Sequence, residues 1–195
     1  MKMPLNLTRE YRNLDLMPAD GEYRVDGYAT TFDAPYLLWE DGDRKYYERV
    51  DRNALDGADI SDVIFQYDHQ GKVFARRSNG TLTLDTDDHG LHITADLSGS
   101  QAGRELYEEI KAGLITRMSW GFVVADDDFD RETRTRTIHK IKKVYDVSAV
   151  SIPANDDTII TARNAISGVL ESIARESRER EINRIKLKMK LGGIN

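Results

Sequence analysis

Cysteine is absent from the chain. Its absence excludes disulfides, thiolate catalysis and cysteine-ligated zinc together. No apolar run approaches the ~20 residues that a membrane-spanning helix needs, so an integral membrane protein is not expected. The opening residues, "MKMPLNLTREYRN", lack the apolar stretch of a secretory signal, and a cytoplasmic protein is expected. Positive charge is also short: 28 Lys and Arg stand against 34 Asp and Glu, for a net charge of −6. That balance argues against direct nucleic-acid binding, which needs a positive field to displace counterions. The four histidines are His69, His89, His92 and His139, and none sits in a metal-type spacing such as HExxH. No metal and no other cofactor is expected.

What is present is a chain of 195 residues, 39% hydrophobic and 32% charged. This composition suits one well-buried domain with appendages. The charge is uneven. Residues 164–195 hold seven Lys or Arg and four Glu, a net of +3, which leaves −9 on the remainder. The break places a boundary near Asn164.

Residues 1–22 are polar and weakly patterned, with Pro4 and Pro18, and read as a loosely tethered arm. From Tyr23 onward the texture is of short β-like runs: "YRVDGYATTF", "DVIFQYD", "TLTLDT", "LHITADL", "LITRMSWGFVV", "TRTIHKIK" and "VYDVSAVSI". "TLTLDT" and "LHITADL" alternate with period two, and the "DDHG" between them supplies turn residues, so a hairpin is expected. One helix interrupts the strands. "SGSQAGRELYEEIKAG" begins with Ser98 and has Gln101 three residues on, a capping-box spacing. Ala102, Leu106 and Ile110 would line its buried face, and Gly113 can end it in a left-handed conformation. A second helix is expected in "NAISGVLESIARESRERE", with Asn164 as N-cap and an apolar stripe of Ile166, Val169, Leu170 and Ile173. That stripe should dock on the body or on a second subunit. About seven strands with few helices suggest an all-β barrel or sandwich decorated with helices.

His89, His92 and His139 read as surface residues. His69 differs: it follows the apolar "VIFQY" and precedes Gly71, a strand end opening into a loop, where scaffolds present catalytic groups. Ser119 sits inside "GLITRMSWGF", where a buried strand would normally carry an apolar residue. By period two it shares a face with Arg117, Gly121 and Val123, while Met118, Trp120, Phe122 and Val124 point into the core. Asp146 shares a face with Val144, Ser148 and Val150, and a carboxylate in such a strand is costly unless paired. A histidine is a natural partner. His69, Ser119 and Asp146 are thus the ingredients of a general base, a nucleophile and an orienting acid, although no spacing rule joins them.

"QYDHQG", "GLITRMSWGF" and "VYDVSAVSIPAND", in this order, resemble the HK97-type prohead serine proteases of tailed bacteriophages. Support comes from "VDGYATTFD", "TLTLDTDDHGL" and "GRELYEEIKAGLI", and the resemblance runs over about residues 22–163. The family is similar to the herpesvirus assemblins. It implies a mainly β fold with helices: a mostly antiparallel β-barrel surrounded by helices, here with a C-terminal helical tail. The domain plan is then an arm at 1–22, a protease domain at 23–163 and a basic tail at 164–195. Carried over residue by residue, the family histidine falls on His69, the nucleophile on Ser119 and the acidic position on Asp146. Backbone N–H groups of the "PANDD" loop are the candidate oxyanion donors.

The function so implied is limited proteolysis inside the prohead, in the host bacterial cytoplasm. The partners would be the major capsid protein and its scaffolding segment, with the portal as a further one. A homo-oligomer, a dimer through helices, is expected, with neither membrane nor nucleic acid bound. Two alternatives stand beside it. One is a non-catalytic capsid assembly or scaffolding module on the same fold. The other is a different serine hydrolase, such as an esterase, whose α/β-hydrolase form the absence of GxSxG disfavours.

Overall fold

A computed structural model describes residues 2, 9–151, 166, 168, 170–172 and 174–184. Ten strands and a helix follow in chain order: β1 (Glu10–Pro18), β2 (Arg24–Thr31), β3 (Tyr36–Asp41), β4 (Arg44–Val50), β5 (Ile64–Tyr67), β6 (Gln70–Arg76), β7 (Leu82–Thr86), β8 (Gly90–Asp96), α1 (Gln101–Lys111), β9 (Arg117–Asp130) and β10 (Thr135–Val150). All strands join one sheet, in the order β3-β4-β10-β9-β1-β2-β8-β7, with β5 on β10 and β6 on β5.

The spine is the long antiparallel pair β9 and β10. "TRTIHKIK" and "VYDVSAVSI", which look like two strands, are one. Register shifts between Ile138 and Asp146 bend β10 without ending it. The same edge of β10 then carries β4 along its first half and β5 along its second, both parallel. The expected hairpin forms between β7 and β8, with Asp87 Oδ1 accepting from the N–H groups of His89 (2.7 Å) and Gly90 (2.9 Å).

Helix α1 begins two residues later than the capping-box spacing suggests. Ser98 N–H is already given to Asp96 Oδ1, and Ser100 caps instead, accepting from Gly103 N–H at 3.0 Å. Gly103, Leu106, Tyr107 and Ile110 form its buried face, whereas Ala102 is only half-buried. Gly113 does take a left-handed conformation after it, with φ +72°.

Two expectations need correction, and one pair of strands had no signal in the sequence. Residues 10–18 are not part of a loose arm, since β1 lies between β9 and β2 inside the sheet. The pair β3–β4 falls in a stretch where charges and aromatics mask the alternation. The barrel does not close either. The path runs from β3 to β7, and among the described residues these two ends do not pair. A parallel bridge between Phe32 and Val50 draws β2 toward β4, so the sheet is curled but open.

The curl encloses one large apolar core in which Met118, Trp120, Phe122 and Val124 of β9 meet Phe65, Leu91, Ile93, Leu97 and Val147. Each such side chain contributes about 1.5–3 kcal/mol on burial. A smaller cluster joins Leu38, Trp39, Tyr46 and Phe129 to Ile166, and Leu170 packs on its border. Residues 166, 168, 170–172 and 174–184 are helical, so the tail docks on the body through Ile166. Asn164, the side chains of Val169 and Ile173, and residues 185–190 lie outside the described residues.

A buried charge cluster, invisible to alternation, lies on the inner face. Arg12 of β1 donates to Glu48 (2.5 and 2.6 Å) and to Glu10 (2.8 Å). Arg136 of β10 donates to Glu10 (2.6 and 2.9 Å), Glu48 (2.9 Å) and Asp127 (2.6 Å). The Tyr36 hydroxyl donates to Glu48 as well. Burial works to raise the Glu10 carboxyl pKa, yet the Arg136 and Arg12 guanidiniums together hold it down at about 2. For Asp127 burial wins, and its carboxyl lies above the usual range. The cluster fixes the facing of β1. Glu10 and Arg12 point inward beside Phe122 and Trp120, so Arg9 and Tyr11 fall on the outer face.

Candidate active site

Two cross-strand rows define the outer face at the middle of the sheet. Tyr11, Gly121, Asp146 and Ile64 are partners across β1, β9, β10 and β5. Two residues along, Asn13, Ser119, Ser148 and Gln66 form the next row. Directly paired residues point to the same side of a sheet, and so do residues two apart on one strand. Ser119, Ser148 and Asp146 therefore share one face. Met118, Trp120 and Phe122 occupy the other, as their alternation foretells.

Val144 is an exception to the expected set. The register shift between Val144 and Asp146 resets the alternation, and Val144 pairs with Phe122 on the core side. Asp146 is thereby turned outward from a stretch whose inner face is apolar, with Val144 and Val147 paired to Phe122 and Trp120.

His69 reaches this face from a tight turn. Tyr67 and Gln70 pair across the β5–β6 hairpin, leaving Asp68 and His69 as its two central residues. Both have positive φ, +47° and +58°, the signature of a type I′ turn in which Asn-Gly is the comfortable sequence. Holding two non-glycine residues there costs on the order of 1–3 kcal/mol each. The strain is countered from β10. Asp68 N–H donates to Ala149 O, and the Asp68 carboxylate accepts from Ser151 N–H and Ser151 Oγ, each at 2.9 Å.

The imidazole then lies over the Asp146 row. His69 Nδ1 is hydrogen-bonded to Asp146 Oδ1, which also accepts from Ser148 Oγ at 2.9 Å. The Tyr11 ring covers the imidazole, with centroids 4.1 Å apart. His69 Nε2 is buried and has no hydrogen-bond partner. Asp146 is 1% exposed and Ser119 2%. Gly121 makes room for the carboxylate, since a Cβ there would stand 2.5 Å from Asp146 Oδ2 and 2.8 Å from the Tyr11 ring. Such a group can take a proton at Nε2 while its other nitrogen is held by a carboxylate.

The structure thus joins His69 to Asp146 directly and sets Ser119 on the same face, one row away. His92 pairs with Asp26 at 3.2 Å and His139 with Asp128 at 2.7 Å, both partly exposed and on other parts of the surface. The "PANDD" loop lies outside the described residues. Sequence reasoning did not find Arg9 or Tyr11, because the strand that carries them has no clean alternation. It named Ser148 as a face-mate of Asp146, without the bond between them.

A family model described as Caudovirus prohead serine protease matches residues 9–172. The chain belongs to that family. The match takes in β1, and so Arg9 and Tyr11, and it passes the expected end at 163 into the tail. The prohead protease of Escherichia phage T5 is 24% identical over 173 residues, covering 85% of this chain and 74% of that protein. The prohead protease of Enterobacteria phage HK97 is 28% identical over 88 residues, 45% of this chain and 39% of that protein. No solved structure is a significant match. As a member of this family the chain is a serine protease of phage prohead maturation.

Proposed function

We propose that Ser119, His69 and Asp146 form the catalytic triad of this protease, and that its substrate is the scaffold or the scaffolding arm of the major capsid protein. The observation that carries the reading is the state of His69. Its Nδ1 is committed to a buried carboxylate, and its Nε2 is buried without a partner on the face that bears Ser119.

In this mechanism His69 Nε2 takes the Ser119 hydroxyl proton as the oxygen attacks the scissile carbonyl. Asp146 keeps the proton of the imidazole on Nδ1 and stabilises the imidazolium that forms. The imidazolium returns a proton to the leaving amine, and an acyl-enzyme remains. Water, deprotonated by the same imidazole, hydrolyses it. Backbone N–H groups after β10 are the proposed oxyanion donors. The setting is the prohead in the host cytoplasm, with the capsid protein as partner.

Ser119→Ala tests this directly. The variant is expected to lose processing of co-expressed capsid precursor by several orders of magnitude, with an unchanged melting temperature. Wild-type processing by the purified variant would end the serine-nucleophile reading.

A further inference from the structure

The two oxygens of the Asp146 carboxylate have different surroundings. Oδ1 meets His69 and Ser148, whereas Oδ2 accepts no hydrogen bond although it is buried. What faces Oδ2 is a guanidinium, with Arg9 Nη1 3.5 Å away. A buried carboxylate with an unsatisfied oxygen is costly unless a charge compensates it. Arg9 is itself held from behind, its guanidinium carbon 4.0 Å from the centroid of the Tyr145 ring. The other charges around the small cavity beside Asp146 are balanced without it. Arg76 pairs with Asp62 at 2.5 Å and Lys143 with Asp59 at 2.7 Å. Among the described residues, Arg9 is thus the cation that addresses Asp146 Oδ2.

We propose that Arg9 is a positioning residue for catalysis, holding the Asp146 carboxylate turned so that Oδ1 meets His69. The proposal rests on the triad reading above. Two features of the chain serve it. The inner charge cluster fixes the facing of β1, which puts Arg9 on the outer face. Gly121 leaves a niche for Oδ2, and the Arg9 side chain closes that niche, its Cδ lying 3.2 Å from where a Cβ would stand. Without the cation, Oδ2 would face no compensating charge, and only the Oδ1 bonds to His69 and Ser148 would oppose rotation about the Cβ–Cγ bond. Such a rotation loosens the imidazole.

The test uses a fluorophosphonate probe on the full chain, so no peptide preference has to be known. The Ser119 oxygen bonds to phosphorus, fluoride leaves and the hydroxyl proton passes to His69. Labelling rates are compared for wild type, Arg9→Ala, Arg9→Gln and Arg9→Lys, with Ser119→Ala as the blank and melting curves for each. Arg9→Ala is expected to slow labelling roughly 10- to 100-fold, the scale on which outer partners of functional groups act. Arg9→Lys keeps part of the rate, above the neutral variants, because it supplies the charge but not the planar stacking. Added guanidinium restores part of the Arg9→Ala rate. Should Arg9→Ala melt below the assay temperature, Arg9→Lys against Arg9→Gln carries the same comparison. An Arg9→Lys rate as low as that of the neutral variants, with no response to guanidinium, overturns the proposal; so does a neutral variant as fast as wild type. In both cases labelled wild-type Ser119 leaves the serine mechanism standing. An unlabelled Ser119 in the wild type removes that mechanism, and the role of Arg9 with it.

Discussion

Gly121 shows how much of this site depends on an atom that is missing. Its backbone is ordinary β-strand, so no unusual torsion calls for glycine there. The demand is spatial, since the Asp146 carboxylate and the Tyr11 ring together occupy the place of a Cβ. We expect Gly121→Ala to push Asp146 off His69. The loss should be at least about tenfold in labelling or cleavage rate, for a stability cost of about 1–3 kcal/mol, typical of overpacking. A kinetic assay beside a thermal melt checks it, and full activity would mean that the carboxylate has slack. Single residues were also what the sequence made most legible. Ser119 interrupts an apolar run, and Asp146 sits in a strand where it needs a partner, so both stand out by cost alone. Arg9 does not stand out, because an arginine near an N-terminus is cheap in any context until a fold buries a carboxylate beside it.

The hairpin between β5 and β6 is the element that presents His69, the proposed base. Its first strand was legible from "DVIFQYD", but neither β6 nor a type I′ turn made of Asp and His was, because that turn normally announces itself with glycine. The compensation lies in residues far apart in sequence, the Asp68 carboxylate and both donors of Ser151. Asp68→Ala should therefore remove an anchor and leave the left-handed torsion unsupported. Asp68→Asn keeps an acceptor and tolerates that torsion. The expected order of activity is wild type, then Asn, then Ala, with the Ala variant down about 10-fold or more and destabilised by roughly 1–2 kcal/mol. Equal activity of all three would show that the turn holds itself. The tail helix poses the opposite case. Its stripe was legible, but not which of its residues would be buried. Ile166 is fully buried in a cluster with Leu38, Trp39, Tyr46 and Phe129, so Ile166→Ala should cost about 2–5 kcal/mol in chemical denaturation. A change within error would place the helix outside the folded unit.

At the scale of the whole molecule, the buried charges join strands distant in sequence, from β1 through β4 to β9 and β10. The curled sheet therefore has a polar seam between two apolar clusters. Nothing local in the sequence marks it, because Glu10, Arg12, Glu48, Asp127 and Arg136 look like surface charges until the strand order brings them together. The seam also ties stability to pH. Glu10 has its carboxyl pKa lowered to about 2 from a usual value of 4.5. A depressed carboxyl stabilises the fold above its unfolded pKa, and that stability is lost as pH falls toward the folded value. The window is therefore from about pH 4.5 down to about 2, and the loss is roughly 3 kcal/mol from this group. Asp127 acts in the opposite sense. Its raised pKa means that the folded state binds its proton more readily, which offsets part of the loss on acidification. Urea titrations across this window should show stability falling with pH, and Glu10→Gln should flatten the slope while lowering stability at neutral pH. That second effect follows because the variant removes the buried carboxylate that accepts from both Arg12 and Arg136, and breaking such buried pairs costs about 3–5 kcal/mol. A Glu10→Gln protein with wild-type stability at pH 7 and an unchanged acid slope would mean that Glu48 and Asp127 alone neutralise the two arginines. The facing of β1, and with it the placement of Arg9 and Tyr11, would then rest on hydrogen bonding in the sheet rather than on charge.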